Sequence, residues 1–235
     1  MFKCIGRLLI VTISLAACST FNQSSKIDWS YGVGSNVDQI WTAKVEFYRN
    51  DKLIGGSRIN GLGPSTSSSS ISDKLYYWAG GGGVPLGGIA IPDQALVEIV
   101  SFYDRKRYRI KVDLPKNLAD QMKKKYLIDG NMDERSWLYF GFAPGGYYEV
   151  LLKGNRLLVK PDVLILRGIA QEVTDDWYDK KFPIGISQYK TTIDNFNKKY
   201  GELYKKHPIP TGMEWAPIMD AYRAKQPKTD QHPIK

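Results

Sequence analysis

Three stretches of this chain change polarity at nearly every residue, and that period limits what the chain can fold into. In Ile40–Tyr48, Trp41, Ala43, Val45 and Phe47 fall on one side, with Thr42, Lys44 and Glu46 on the other. Ala95–Phe102 alternates in the same way, and Tyr108, Ile110 and Val112 alternate with Arg109 and Lys111. A repeat of two puts successive side chains on opposite faces of an extended strand, whereas a helix repeats every 3.6 residues. Turn chemistry separates these runs: Arg49-Asn50-Asp51-Lys52 before Leu53-Ile54, and Tyr103–Arg107 between the second and third. Further strands are expected at Trp137–Phe142, Tyr147–Leu152, Arg156–Val159 and Val163–Val173, with Pro144-Gly145-Gly146 and Lys153-Gly154-Asn155 as turns. Glu98 and Glu149 fall within strands and are expected to face solvent. The pattern predicts a mainly β fold, an antiparallel β-sandwich or barrel-like sheet with a few short helices, the longest near the C-terminus.

Helical spacing is confined to three places. Lys116–Tyr126 turns Leu118 and Met122 inward and ends near Asp129-Gly130. Ile186–Tyr204 repeats apolar residues at Ile186, Tyr189, Ile193, Phe196, Tyr200 and Leu203. Trp215–Tyr222 is a short helix whose first turn tolerates Pro217. Ser65–Ser70, interrupted only by Thr66, is expected to be an exposed, mobile loop, and Lys225–Lys235 a frayed tail.

The N-terminus is a leader. Lys3 and Arg7 precede an apolar run from Leu8 to Ala17, broken only by Thr12 and Ser14. About ten residues cannot span a hydrocarbon core of roughly 30 Å, so residues 1–17 are expected to be a cleaved signal peptide. Leu15-Ala16-Ala17-Cys18 resembles the lipobox of bacterial lipoproteins. That resemblance implies thioether lipidation of Cys18, cleavage before it, and acylation of the new amine. It also implies palmitate-type chains in a membrane and, with no Asp at Ser19, the outer membrane facing the periplasm. Residues 18–27 then form a tether, 28–224 a single β-rich domain and 225–235 a tail.

The two cysteines, Cys4 and Cys18, both lie in this leader region. The remaining chain has no disulfide, thiol nucleophile or thiolate metal site to offer. The formal net charge of +9 falls to +7 without Lys3 and Arg7. An excess of Lys and Arg suits solubility or a nearby anionic membrane; an envelope address argues against nucleic acid.

No catalytic constellation emerges. Of the two histidines, His232 lies in the tail and His207 follows Lys206 at a helix end, where it suits the helix dipole. No G-x-S-x-G elbow or metal-ligand spacing is present, and the pairs Asp133-Glu134 and Asp175-Asp176 diverge in an extended chain. Two carboxylates facing each other across a cleft remain compatible with the sequence. Gly80–Gly83 lacks a following Lys-Ser/Thr and meets Pro85, so it is no nucleotide loop. It is expected to be a flexible connector beside an aromatic strand, Leu75-Tyr76-Tyr77-Trp78. The expectation is a binding protein without enzymatic activity, cofactor or metal. Tyr77, Trp78, Gly81 and Gly82 are its candidate contacts in an adaptable aromatic–glycine loop. Arg105, Arg107 and Arg109 are candidates in a basic hairpin, although such a run also suits a solvated hairpin tip.

Ile91-Pro92-Asp93, Glu98–Asp104, Tyr108-Arg109 and Leu114-Pro115, with Gly141-Phe142-Ala143-Pro144-Gly145-Gly146 and Gly154, resemble a bacterial lipoprotein family, domain of unknown function 2931. Where that pattern carries Trp, Val100-Ser101-Phe102 and Tyr147-Tyr148 stand here. The resemblance implies no catalytic residue. It implies an immunity lipoprotein encoded near type six secretion lipase effectors, which binds an incoming phospholipase in the periplasm. The alternative is a structural or assembly lipoprotein of the envelope with no toxin partner.

Overall fold

Phe47 stands between Tyr31 and Phe140, with ring centroids 5.0 and 6.1 Å away, and these three side chains come from two facing sheets. The computed structural model describes residues 27–57, 61–62, 67–80, 83–174 and 189–234. In chain order the strands are β1 (Ser30–Ser35), β2 (Ile40–Arg49), β3 (Lys52–Ser57), β4 (Gly61–Leu62), β5 (Val84–Pro85), β6 (Gln94–Ser101), β7 (Lys106–Asp113), β8 (Lys125–Ile128), β9 (Asn131–Glu134), β10 (Trp137–Ala143), β11 (Tyr147–Lys153), β12 (Val163–Ile169), β13 (Gln171–Glu172) and β14 (Pro233–Ile234). The helices are α1 (Ser68–Ser72), α2 (Leu118–Lys123), α3 (Lys190–Lys206) and α4 (Trp215–Ala224).

One sheet runs β12-β11-β10-β1-β5, the facing one β13-β7-β6-β2-β3 with β4 on β2, and a small third sheet β14-β8-β9. Pairing is antiparallel except for β1 beside β10. Among the described residues the fold is therefore mainly β and sandwich-like, with no closed barrel. Val45, Val97, Ile99 and Ile110 face Val33, Leu138, Phe140 and Val150 across an apolar core. The alternate residues Tyr139, Tyr147 and Leu151 join a second core with Trp78, Trp215 and Met219. In the same core, α3 packs Ile193, Phe196 and Tyr200 against Phe102 and Val37.

Several expectations change. Thr42 pairs with Ile99 and Lys44 with Glu98, so Ala43 is an extra residue in β2. Such a bulge switches the faces. Trp41 consequently lies against Tyr189, while Val45 and Phe47 fill the sandwich. Val163–Val173 is two strands: β12 pairs with β11 and β13 with β7, so the chain crosses between sheets at Ala170. Arg156–Val159 is a loop, because the amides of Arg156, Leu158 and Val159 donate to the Asp133 carboxylate at 2.9, 2.9 and 3.0 Å. The helix expected over Lys116–Tyr126 contracts to α2, with Leu118 and Met122 buried as expected, and Asp129-Gly130 turns β8 into β9.

The serine run is partly helical. Ser67 caps α1 by accepting the Ser70 amide at 3.1 Å, and Ile71 is fully buried. Leu75–Trp78, expected as an aromatic strand, is no strand among the described residues; a bridge joins Ala79 to Ser35. The tail is held: β14 pairs with β8, and Lys160 donates its amide to the Thr229 hydroxyl at 2.8 Å. His207 ends α3 as expected, its amide donating to Leu203. The expected leader with Cys18, the expected tether to Lys26, Ser65-Thr66, Gly81, Gly82, Asp175-Asp176 and Ile186 lie outside the described residues. Among the described residues no helix is long and apolar enough to cross a membrane.

Candidate binding groove and the ionic layer beneath it

After Lys74 the chain leaves Leu75 and Tyr77 exposed while Tyr76 and Trp78 turn inward. Tyr76 meets Trp215 edge-on, with centroids 5.0 Å apart. Trp78 is buried over Gly141, where a side chain would collide: a Cβ there would sit 2.6 Å from the indole ring. Leu75 and Tyr77 point outward, 54% and 43% exposed. The Ala79 carbonyl accepts the Tyr139 hydroxyl at 2.8 Å, and its amide donates to Ser35 at 3.0 Å.

Opposite this segment lies α4, and the space between them is an open groove of about 520 Å³. Leu75, Tyr77, Ile218, Ala221 and Tyr222 make it apolar, and Lys74 and Lys225 are the charged residues among its described lining. A concave apolar surface of this size, with a few polar groups at its rim, is the usual form of a recognition site.

Both walls are tied to one carboxylate. Glu149 is fully buried on the α4 side of β11. It accepts the Trp78 indole N–H at 2.9 Å and the Tyr147 hydroxyl at 2.7 Å, and Arg223 of α4 donates to it as well. Arg223 also reaches Asp220, which Arg167 holds at 2.6 and 2.9 Å. Hydrogen bonding from Arg167 leads the causes that keep the Asp220 carboxyl below its ordinary range. Burial, followed by the hydrogen bond to Glu149, pushes the Tyr147 hydroxyl up. A buried carboxylate is tolerated only with such donors. The expectation that Glu149 and Glu98 face solvent is corrected on this ground: Glu98 is buried too, with Arg109 at 2.5 Å.

Two other buried charges lie apart from the groove lining. Lys153 stacks 4.2 Å from the Tyr139 ring centroid, 3.9 Å from Asp162, and burial lowers its ammonium to about 8. Asp38 accepts the Ser101 hydroxyl and the Tyr103 amide, and burial raises its carboxyl to about 7.

The candidate contacts separate. Tyr77 and Arg105 are exposed, Arg105 in a turn beside Asp194 of α3 at 3.0 Å. Trp78 and Arg107 are inside, which removes them as direct contacts. Arg107 stands opposite Val100 on the face covered by α3, and Arg109 is turned onto Glu98. Sequence reasoning missed Ile218, Ala221, Tyr222 and Lys225; the helical spacing of Trp215–Tyr222 was visible, but not the segment that α4 would face. Among the described residues no three His, Cys, Asp or Glu converge as a metal site.

A family model described as Protein of unknown function (DUF2931) matches residues 15–212. Comparison with curated proteins and with solved structures gave no match.

Proposed function

Starting from the fact that this chain belongs to the DUF2931 family, whose description names no activity, we propose that it is a lipid-anchored periplasmic binding protein. In this reading it captures and neutralises a secreted phospholipase-type effector. The observation that carries the reading is the open groove between Lys74–Tyr77 and α4, with Leu75 and Tyr77 presented at its mouth. Exposed aromatic and aliphatic groups beside a preformed groove supply the anchoring contacts of a protein interface. The lysines at its ends favour a segment whose apolar side chains are flanked by carboxylates. The Leu15–Cys18 box supports the address, and the family match takes it in. An anchored protein at the membrane face meets a lipase where its substrate lies. No chemical step is assigned to the groove.

The test uses an envelope-directed phospholipase and the chain from Ser19 onward, which keeps every residue of both cores. A stoichiometric complex that suppresses hydrolysis is expected. Leu75→Ser with Tyr77→Ser, both exposed, should weaken it by about tenfold or more at unchanged thermal stability. Retention of full affinity by that variant would reject the groove; absence of any complex, with envelope assembly proteins recovered instead, would favour the structural lipoprotein.

A further inference from the structure

The small third sheet exposes an apolar face that neither core uses. In β8, Tyr126 turns inward and is buried, so its neighbours Lys125 and Leu127 turn outward. Across the hairpin Leu127 pairs directly with Met132, and on the other side Lys125 pairs with Ile234 of β14. Directly paired residues share a face, so Leu127, Met132 and Ile234 stand together, 59%, 43% and 46% exposed.

Beside them, Lys123, Lys124 and Lys125 run consecutively from the end of α2 into β8, all exposed. Among the described residues no carboxylate forms an ion pair with any of these three. The nearby acids are Asp129 at the hairpin turn, Asp120 on α2, and Glu134 opposite Lys125. Large apolar side chains beside a lysine row are the composition of a surface that rests in the headgroup region of an anionic bilayer.

The path of the chain points to the same end of the molecule. The Ser30 amide donates to the Ser136 carbonyl at 2.9 Å, two residues beyond β9. The described chain thus enters beside the third sheet. Eight residues lie between Cys18 and Ile27, nine steps of the chain with a reach of at most about 30 Å.

We infer that the outward face of β14-β8-β9, through Leu127, Met132 and Ile234 with Lys123–Lys125, seats on anionic phospholipid. This rests on the lipid-anchor reading for its biological setting, but the surface chemistry is independent of the anchor. Seating on this face orients the tethered body; α4 and the Lys74–Tyr77 segment belong to other elements and stay available.

The chain from Ser19 onward, which carries no lipid, is mixed with vesicles of phosphatidylethanolamine and phosphatidylglycerol, and with vesicles of phosphatidylcholine alone. Preferential, salt-sensitive flotation with the anionic vesicles is expected. Leu127→Glu with Met132→Glu should lower the partition by about tenfold or more. Anionic vesicles should also slow amide exchange over residues 123–134 in the unaltered protein, a readout independent of any variant's folding. Equal partition of variant and parent, equal binding to both vesicle types, or protection confined to other segments would overturn the inference. So would a change of oligomeric state in the variant without a change in partition, which would make the face a self-contact. The mass of Cys18 in chain recovered from membranes tests the anchor separately: an unmodified cysteine would refute the anchor and leave the vesicle result standing.

Discussion

The Trp78 indole donates to the Glu149 carboxylate at 2.9 Å, joining residues 71 positions apart inside the protein. Because Arg223 binds the same carboxylate oxygen, one side chain fastens the Lys74–Tyr77 segment and α4 together. Glu149→Gln would leave the buried Arg223 guanidinium with only the exposed-side Asp220 as a charged partner. A loss of about 3–5 kcal/mol in urea unfolding at neutral pH is expected. Faster amide exchange at residues 76–79 and 215–224 should accompany it. An unchanged midpoint would show that the carboxylate does not hold the two walls.

Gly141→Ala tests the packing of the same indole. The new methyl would meet three ring atoms of Trp78 at 2.6–2.8 Å, so the strand or the buried ring must shift. Destabilisation of about 1–3 kcal/mol is expected. In a Trp78→Phe background, where the ring is smaller, the same change should cost less; equal cost in both would mean that the clash is elsewhere.

Asp38 makes stability fall with rising pH. Its carboxyl is raised by burial to about 7, above the ordinary value near 4, so the folded state favours the protonated form. Its contribution is complete below about pH 4 and is lost as pH climbs through about 7. Asp38→Asn should remove this term from the stability profile, a slope of up to about 1.4 kcal/mol per pH unit across that window. Identical profiles for the two proteins between pH 4 and 7 would refute the assignment.

Lys153 acts in the opposite direction and in another window. Its ammonium is lowered by burial to about 8, below the ordinary value near 10.4, so folding favours the neutral amine. The contribution is present above about pH 10.4 and is lost as pH falls through about 8. Lys153→Met should therefore flatten that rise and stabilise the protein at pH 7 by about 1–3 kcal/mol. Asp162 keeps Lys160 at 2.7 Å in the variant. Destabilisation at pH 7 would show that the ring contacts of the ammonium outweigh its desolvation.

The C-terminal segment should be indispensable to stability. Thr229 donates to the Leu158 carbonyl at 2.7 Å, and Asp230 meets the buried Arg135 at 2.7 Å. Ending the chain at Pro227 leaves Arg135 with only neutral acceptors, and a loss of about 3 kcal/mol or more is expected. Asp230→Ala alone should reproduce much of it. A truncated chain as stable as the parent would restore the frayed tail that composition suggests.

Much of the sandwich was legible. The alternation of Ala95–Phe102 and Tyr108–Val112 became the β6–β7 hairpin, because a period of two has only one compact use. Helical spacing from Tyr189 to Leu203 likewise became α3. The groove was half legible: Tyr77 was singled out for its aromatic setting, but its opposite wall comes from a helix more than 130 residues later.

The sequence alone determined the faces of the unbulged strands, such as β6 and β7, and the turn between them, since side-chain period and turn chemistry are local properties of the backbone. Tertiary structure decided what covers each face. Trp78 and Arg107, contact candidates by their sequence setting, lie inside, and Glu98 and Glu149, whose strand positions predict solvent, are buried. A charge leaves water only when donors from elsewhere in the fold replace it, and for Glu149 these come from Trp78 and Arg223, 71 and 74 residues away. The bulge at Ala43, the crossing at Ala170 and the docking of β14 were settled in the same way, by long-range pairing that no local period encodes.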